Sequence, residues 1–327
     1  MALQSHEVIW SLATAAVASR TLQVVAELGI ADQLGDTPVE ASELAARSGV
    51  DPQSLDRVLR LLAAHGVFEH NEGRFGHTEA SQLLRNDHPM SMRAFPRMMG
   101  MPSFLASFDR LDHAIHTGSP AFQLVEANGL FAYLQDHPGE AEVFGESMTA
   151  KAAADIAAIL ATYDFGRFRR IADIGGGRGH LLRAILDAHR STEGILFDLP
   201  TVIDTVTIDG GRLALHAGDF FVDPLPVADV YVLMEVIHDW PDAEATTILS
   251  AIRDVAPAGA TVLIIEAAAR ADVDRRVQTL DIIMLAITGG RERTATELSA
   301  LLNGAGLHVR RILDTPGTLR IVEAVTD

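Results

Sequence analysis

The chain has 327 residues, of which 48% are hydrophobic and 21% charged, and its formal net charge is -18. This composition is typical of a globular protein, the length suggests two domains, and the acidic charge disfavours nucleic acid and anionic membranes as partners. Cysteine is absent, which excludes disulfides, thiolate metal sites and cysteine nucleophiles. We expect a cytoplasmic protein, because the first residues do not resemble a signal peptide and no apolar run approaches the roughly 20 residues of a membrane span.

The first zone, residues 1–90, has the pattern of a winged helix. An apolar-periodic helix is predicted over residues 8–28, ending before Gly29, and short helices are predicted over 37–46 and 51–62. Asp51 followed by Pro52 is a typical helix start. Two strands are predicted over 66–69 and 74–77, around a turn at 71–73.

The second zone, residues 91–163, is predicted to be helical and is rich in methionine and phenylalanine. These side chains either fill the core or form the wall of a pocket for a planar apolar ligand, a role that adaptable Met and flat aromatic side chains suit. We assign Met98, Phe104, Phe144 and Met148 of this zone to the pocket wall. We also assign Asp239 and Met284 of the third zone to it.

The third zone, residues 164–327, alternates short apolar runs with longer helical patterns. This alternation is typical of an α/β fold with a mostly parallel, doubly wound sheet. A short turn at 316–317 joins the last two strands, so the final strand is expected to run antiparallel. The strands are predicted over 170–174, 194–198, 213–217, 230–234, 261–266, 307–313 and 319–325.

A glycine-rich loop follows the first of these strands, at residues 175–179. Glycines let the backbone turn sharply and let a ligand approach it, and ligands of open α/β sheets bind at the carboxyl ends of the strands. Asp198, about 20 residues further on, ends the next strand. An acidic side chain at this position can accept hydrogen bonds from both hydroxyl groups of a ribose. The G-x-G-x-x-G spacing of dinucleotide sites fails at His180. The G-x-G-x-G pattern suits a nucleoside without a pyrophosphate, and a tight turn without a ligand is the structural alternative.

Two further segments follow strands and carry candidate site residues. Asp219 and Phe220 follow the third strand, where they could hydrogen-bond and cover an adenine ring. His238 lies just past the fourth strand, where it could accept the proton of a phenol as a general base. A carboxylate such as Glu266 could accept its ring N–H and set the tautomer. The alternative is that His238 satisfies a local hydrogen bond.

The sequence resembles the two-domain, COMT-type small-molecule O-methyltransferases of plants and of bacterial natural-product pathways. Each motif is modest alone, but their order is specific and the likeness covers almost the whole chain. The segments that carry it are residues 173–179, 197–200, 218–221, 238–240, 264–266 and 289–294.

The resemblance implies a Rossmann-like, doubly wound domain at residues 164–327 that binds S-adenosylmethionine (SAM), releases S-adenosylhomocysteine and needs no metal. It implies that residues 1–90 form an all-helical or winged-helix dimerisation domain, that 91–163 form a helical linker and pocket wall, and that the protein is a homodimer. It implies that His238 is the general base, flanked by Glu266 and Glu292. Met234 stands where many relatives have a lysine. The cofactor-binding residues would be Asp173, Gly175, Gly177, Asp198, Leu199, Asp219, Phe220 and Met234.

We therefore predict O-methylation of a small aromatic or polyketide-like metabolite. The alternative is a SAM-binding homologue with another activity: N- or C-methylation, hydroxylation, decarboxylation or pericyclic chemistry. A DNA-binding regulator is disfavoured, because the winged-helix segment is acidic and recognition helices gather basic residues.

Overall fold

A computed structural model describes residues 4–208, 210–267 and 274–327. The chain divides into two compact units, one made of residues 1–105 and 139–151 and the other of 106–138 and 152–327. The helices of the zone 91–163 contribute residues to both units, and its role as a linker and pocket wall stays a prediction.

The helices are α1 Ser5–Glu27, α2 Ile30–Gln33, α3 Ala41–Ser48, α4 Pro52–Ala64, α5 Glu79–Gln82, α6 Ala94–Met99, α7 Pro102–Asp109, α8 Leu111–Thr117, α9 Leu130–Asp136, α10 Pro138–Thr162, α11 His180–Ala188, α12 Pro200–Ile203, α13 Asp242–Val255, α14 Arg275–Ile287 and α15 Ala295–Gly304. The strands are β1 Val39–Glu40, β2 Phe68–Asn71, β3 Arg74–His77, β4 Arg170–Ile174, β5 Glu193–Asp198, β6 Leu213–Ala217, β7 Val230–Met234, β8 Thr261–Glu266, β9 His308–Asp314 and β10 Arg320–Val325. Short 3-10 helices lie at Ala121–Leu124, Phe165–Arg167 and Ile237–Asp239.

The first unit contains the winged-helix elements. The Asp51 side chain accepts a hydrogen bond from the Ser54 N–H at 2.8 Å and starts α4 as predicted. The turn between β2 and β3 has positive φ at Glu72 and Gly73, as a two-residue hairpin requires. The helix predicted over 37–46 is wrong at its start, because Val39 and Glu40 form β1 and pair with β3.

Helix α1 exposes most of its apolar side chains. Trp10 and Leu12 are 72% and 70% exposed. By length and composition alone, this 23-residue helix could cross a membrane, although core helices and signal sequences pass the same test. Glu7, Arg20 and Glu27 interrupt its apolar residues, and the expectation that the chain does not span a membrane stays a prediction.

The second unit is built on a seven-stranded sheet of the described residues, in the order β6-β5-β4-β7-β8-β10-β9. Strands β4 to β8 pair in parallel, and β10 is antiparallel to both neighbours, as predicted. Val230 and Val232 of β7 pack in one hydrophobic cluster with α11, whereas Tyr231 and Leu233 pack in the other with α13 and α15. Both faces of the sheet are thus covered, which confirms the doubly wound α/β fold. The parallel strands bring their carboxyl ends to one edge. Asp198, Met234 and Glu266 end strands there, and the glycine loop, Asp219 and His238 follow strands.

Candidate active site

The glycine loop packs directly on the ends of β4 and β5. A Cβ added to Gly176 would lie 2.5 Å from the Asp173 carboxyl group and 2.6 Å from Leu196. Gly177 has φ +58, and a Cβ there would meet no described atom within 4 Å. Glycine is therefore favoured at this position by its left-handed backbone conformation and not by a lack of space. The loop therefore presents its backbone to an open side, as a backbone that binds a ligand must.

Asp198 fastens this loop. Its carboxylate accepts the Gly177 N–H at 2.7 Å and the Leu199 N–H at 2.8 Å. Burial raises the pKa of Asp198 to about 6, although both N–H groups favour the charged form. Each carboxylate oxygen keeps a further lone pair, so the side chain can still accept hydroxyl groups of a ligand.

Asp173 lies beneath the loop and is buried. Its Oδ1 has no hydrogen-bond partner among the described residues. Burial, with a smaller contribution from the charge of Asp198, raises the pKa of Asp173 to about 7. A buried carboxyl oxygen without a partner next to a glycine loop fits a ligand that carries a hydrogen-bond donor or a positive charge.

Aromatic side chains adjoin the loop. The Phe220 ring is 3.8 Å from the position of a Cβ on Gly175 and makes an edge contact with Trp240 at 5.7 Å between centroids. Phe131 stacks on Trp240 at 5.5 Å. Asp219 accepts the Phe221 N–H at 2.9 Å, and Met234 ends β7. The predicted residue Phe220 thus lies beside the glycine loop, where it could cover a planar ring.

His238 lies in the 3-10 helix that follows β7, and it is only 4% exposed. Its ring Nδ1 is 2.6 Å from Glu292 Oε1, and its backbone N–H donates to Glu266 Oε1 at 2.9 Å. Both carboxylates therefore flank His238, but their roles differ from the prediction. Glu292, not Glu266, accepts the ring N–H, because the loop after α14 carries Glu292 to the Nδ1 side of the ring while the end of β8 faces the backbone.

The charges around His238 alter its pKa. Burial opposes the charged imidazolium, but the carboxylates of Asp239, Glu292 and Glu266 outweigh burial and raise the pKa of His238 to about 9. Burial raises the pKa of Glu266 to about 7, partly opposed by His238. With Nδ1–H donating to Glu292, the neutral ring keeps its lone pair on Nε2, whose nearest carboxylate is Asp239 Oδ1 at 3.7 Å. The arrangement can take a proton at Nε2.

Residues 290–293 form a strap over the turn that carries His238. A Cβ added to Gly290 would lie 1.9 Å from the His238 carbonyl oxygen. The Arg291 N–H donates to that oxygen at 2.9 Å. Sequence reasoning missed Arg293, which is 1% exposed, because a run of charged residues ordinarily marks a solvated surface. The two glycines before this run, Gly289 and Gly290, indicate that the backbone approaches another segment closely. They do not indicate which of the charged side chains is buried.

The predicted pocket-wall residues fall in both units. Met284 of α14 is buried, and Asp239 adjoins His238, both in the second unit. Met98 and Phe104 are buried, and Phe144 and Met148 half-buried, in the first unit. Their role toward a substrate stays a prediction. Within residues 4–208, 210–267 and 274–327, no group of three or more His, Cys, Asp or Glu side chains could hold a metal ion.

Two family models match the chain. The model of the O-methyltransferase domain matches residues 108–308, and that of the O-methyltransferase dimerisation domain matches residues 10–87.

Three curated relatives illustrate the similarity. The phenazine O-methyltransferase PhzM of Lysobacter antibioticus is 38% identical over 94% of this chain and 92% of its own length. The O-demethylpuromycin-O-methyltransferase of Streptomyces alboniger is 36% identical over 96% and 86%. The 8-amino-8-demethylriboflavin N,N-dimethyltransferase of Streptomyces davaonensis is 36% identical over 88% and 86%.

Solved structures share the fold over nearly the full length. LaPhzM has a TM-score of 0.93 and 35% identity, covering 99% of this chain and 100% of its own. NcsB1 from neocarzinostatin biosynthesis, in complex with SAM and 2-hydroxy-5-methyl naphthoic acid, has a TM-score of 0.81 and 34% identity, covering 94% and 96%.

Proposed function

The chain belongs to the O-methyltransferase family, and from that premise we propose that it methylates a hydroxyl group of a small planar aromatic metabolite, with His238 as general base. The observation that carries the proposal is the buried pair of His238 Nδ1 and Glu292 Oε1, 2.6 Å apart, on the edge of the sheet that also holds the glycine loop.

SAM is the methyl donor of the family, and it supplies a methyl group already activated on a sulfonium. The glycine loop would contact it through the backbone of Gly175 and Gly177, and Asp198 would accept hydroxyl groups of its ribose. The unpartnered Oδ1 of Asp173 fits a positively charged ligand. We also assign Leu199, Asp219, Phe220 and Met234 to the proposed SAM-binding site.

His238 would take the acceptor's proton at Nε2 while Glu292 holds Nδ1–H. A phenol has a pKa near 10, by analogy with tyrosine. An imidazole with a pKa of about 9 accepts such a proton with far less thermodynamic cost than one at 6.5. Because His238 with this pKa is mostly protonated at neutral pH, the rate should rise with pH until its ring is neutral.

The aromatic class of acceptor rests on two kinds of support. Phe131, Phe220 and Trp240 form ring contacts in the second unit, and flat rings suit a planar ligand. One similar protein is a phenazine O-methyltransferase, and another, NcsB1, is in complex with 2-hydroxy-5-methyl naphthoic acid. Met284 and Asp239 would line the acceptor site.

N-methylation is the second candidate function. The N,N-dimethyltransferase at 36% identity favours it, because the same scaffold serves an amine in that protein.

Incubation with SAM and a series of phenols and matched anilines tests the proposal. We expect phenols to gain one methyl group for each S-adenosylhomocysteine formed, with no effect of EDTA. Methylation of anilines alone would favour the second candidate. SAM consumption without methyl gain, or binding of NADH in place of SAM, would contradict both.

We further propose that the protein is a homodimer joined through its first unit. The dimerisation model matches residues 10–87, which include most of α1 and its exposed Trp10 and Leu12. Burying these side chains against a second copy would remove a large apolar surface from water. We retain the expectation of a cytoplasmic protein without nucleic acid or membrane partners as a prediction.

Light scattering after size exclusion tests the homodimer. The wild type is expected at twice the chain mass without detergent, and the double variant Trp10→Glu, Leu12→Glu at the chain mass. Val227→Glu, which alters an exposed apolar residue outside the dimerisation match, is the control and should remain dimeric. A monomeric wild type would contradict the proposal.

A further inference from the structure

Arg293 is the largest fully buried side chain of the described residues. Its guanidinium donates from Nη1 to the Ile237 carbonyl at 3.0 Å and from Nη2 to the Trp240 carbonyl at 2.7 Å. Its Nε and Nη2 also donate to Asp242 Oδ1, at 2.9 and 2.7 Å. A guanidinium that is 1% exposed loses its hydration, so these hydrogen bonds must replace it.

The two carbonyl groups that Arg293 binds bracket His238 in the chain. Ile237 precedes it, and Trp240 follows two residues later. The carbonyl of His238 itself accepts the Arg291 N–H at 2.9 Å. The strap thus holds the main chain of the turn on both sides of His238.

The neighbouring Glu292 holds the imidazole of His238 at Nδ1. Consecutive residues therefore fix the backbone and the ring of the same histidine. A displacement of the turn relative to the strap would lengthen the 2.6 Å contact between Glu292 and the ring, and it would change the direction of Nε2.

We propose that Arg293 is a positioning residue for His238, which it aims by clamping the main chain of the 237–240 turn. The inference rests on the proposed role of His238 as general base. Arg293 acts through His238, because its described hydrogen bonds go to the turn and to Asp242.

The shape of the guanidinium is essential to this role. Its donors are fixed in a planar fork and reach two carbonyl groups and a carboxylate at once, whereas a lysine ammonium is a compact charge on a flexible stem. Arg293→Lys should therefore keep the charge beside Asp242 but leave at least one of the two carbonyls without a donor. The resulting misplacement of a catalytic group, of the order of 1 Å, is expected to lower kcat by about 10²-fold.

A purely structural role would also make Arg293 sensitive to substitution, so the test uses a double-variant cycle. We would measure kcat, the KM for SAM and the thermal midpoint for the wild type, Arg293→Lys, His238→Gln and the double variant. Arg212→Lys is the matched control, because the Arg212 guanidinium binds the carbonyls of Leu186, His189 and Thr192, away from the turn.

We expect Arg293→Lys to lower kcat by about 10²-fold in the wild type, with the KM for SAM changed less than about threefold, and to have no further effect in the His238→Gln background. Arg212→Lys should lower the thermal midpoint without changing kcat. Equal losses from Arg293→Lys in both backgrounds would overturn the positioning role while leaving His238 as the base. A His238→Gln variant as active as the wild type would overturn the base, and with it the inference.

Discussion

Replacing His238 by glutamine is expected to lower kcat by about 10²–10⁴-fold, the usual contribution of a positioned general base. Glutamine is close to histidine in size and can still donate toward Glu292, but its amide cannot take a proton at neutral pH. The acceptor would then lose its proton to water. SAM affinity should change little, because His238 is not among the residues proposed to hold SAM. Initial rates of S-adenosylhomocysteine formation and calorimetric titration with SAM measure the two quantities.

A second histidine provides the control for this variant. The ring nitrogens of His77 lie 2.9 Å from Ser81 Oγ and 3.3 Å from the Leu34 carbonyl, in the first unit. His77→Gln makes the same side-chain change at hydrogen bonds outside the proposed site, and it should lower stability but not kcat. If His238→Gln turned over at the wild-type rate, His238 would not be the base, although methylation itself would stand.

Replacing Asp173 by asparagine is expected to stabilise the ligand-free protein at pH 8. The folded-state pKa of Asp173 is raised from 3.8 to about 7, first by burial and then by the charge of Asp198. The folded state therefore binds this proton more tightly than the unfolded chain does. The favourable contribution is present below pH 3.8 and is lost as pH rises through 7. A shift of this size corresponds to up to about 4 kcal/mol, and asparagine does not incur that loss.

Urea denaturation of both proteins at pH 5 and pH 8 measures the difference. The advantage of Asp173→Asn should be larger at pH 8. Asp187→Asn is the control, because Asp187 is an exposed carboxylate on α11 and should change stability little at either pH. An Asp173→Asn effect that is the same at both pH values would show that Asp173 is charged throughout this range in the folded protein.

The sheet was predictable from local patterns. Strands β4, β6, β7 and β8 have the predicted bounds, because short apolar runs between polar loops mark buried parallel strands. The loop glycines and Asp198 were predictable for the same reason, since the end of a strand can be located from its own sequence. The carboxylate that meets the His238 ring was not predictable, because His238 and Glu292 are 54 positions apart and only the folded loop brings them together.

Arg293 and β1 were also not predictable, because both depend on contacts between distant segments of the chain. The run Arg291-Glu292-Arg293 looks solvated, yet Arg293 is buried, because the turn it binds comes from a distant part of the chain. Val39 and Glu40 have no strand pattern of their own and become β1 only by pairing with β3. Contacts between distant segments override local preference in each case.

The pH dependence of kcat/KM for one phenolic acceptor, compared between the wild type and Glu292→Gln, tests the central claim most directly. The carboxylate of Glu292 is one of the groups that raise the pKa of His238 to about 9. The rate should therefore increase with pH along an ascending limb that the ionisation of His238 sets. Removing the charge should move this limb to lower pH and lower the plateau, while the ionisation of the acceptor stays the same for both proteins. An unchanged limb in Glu292→Gln would contradict the assignment of the buried His238–Glu292 pair as the base.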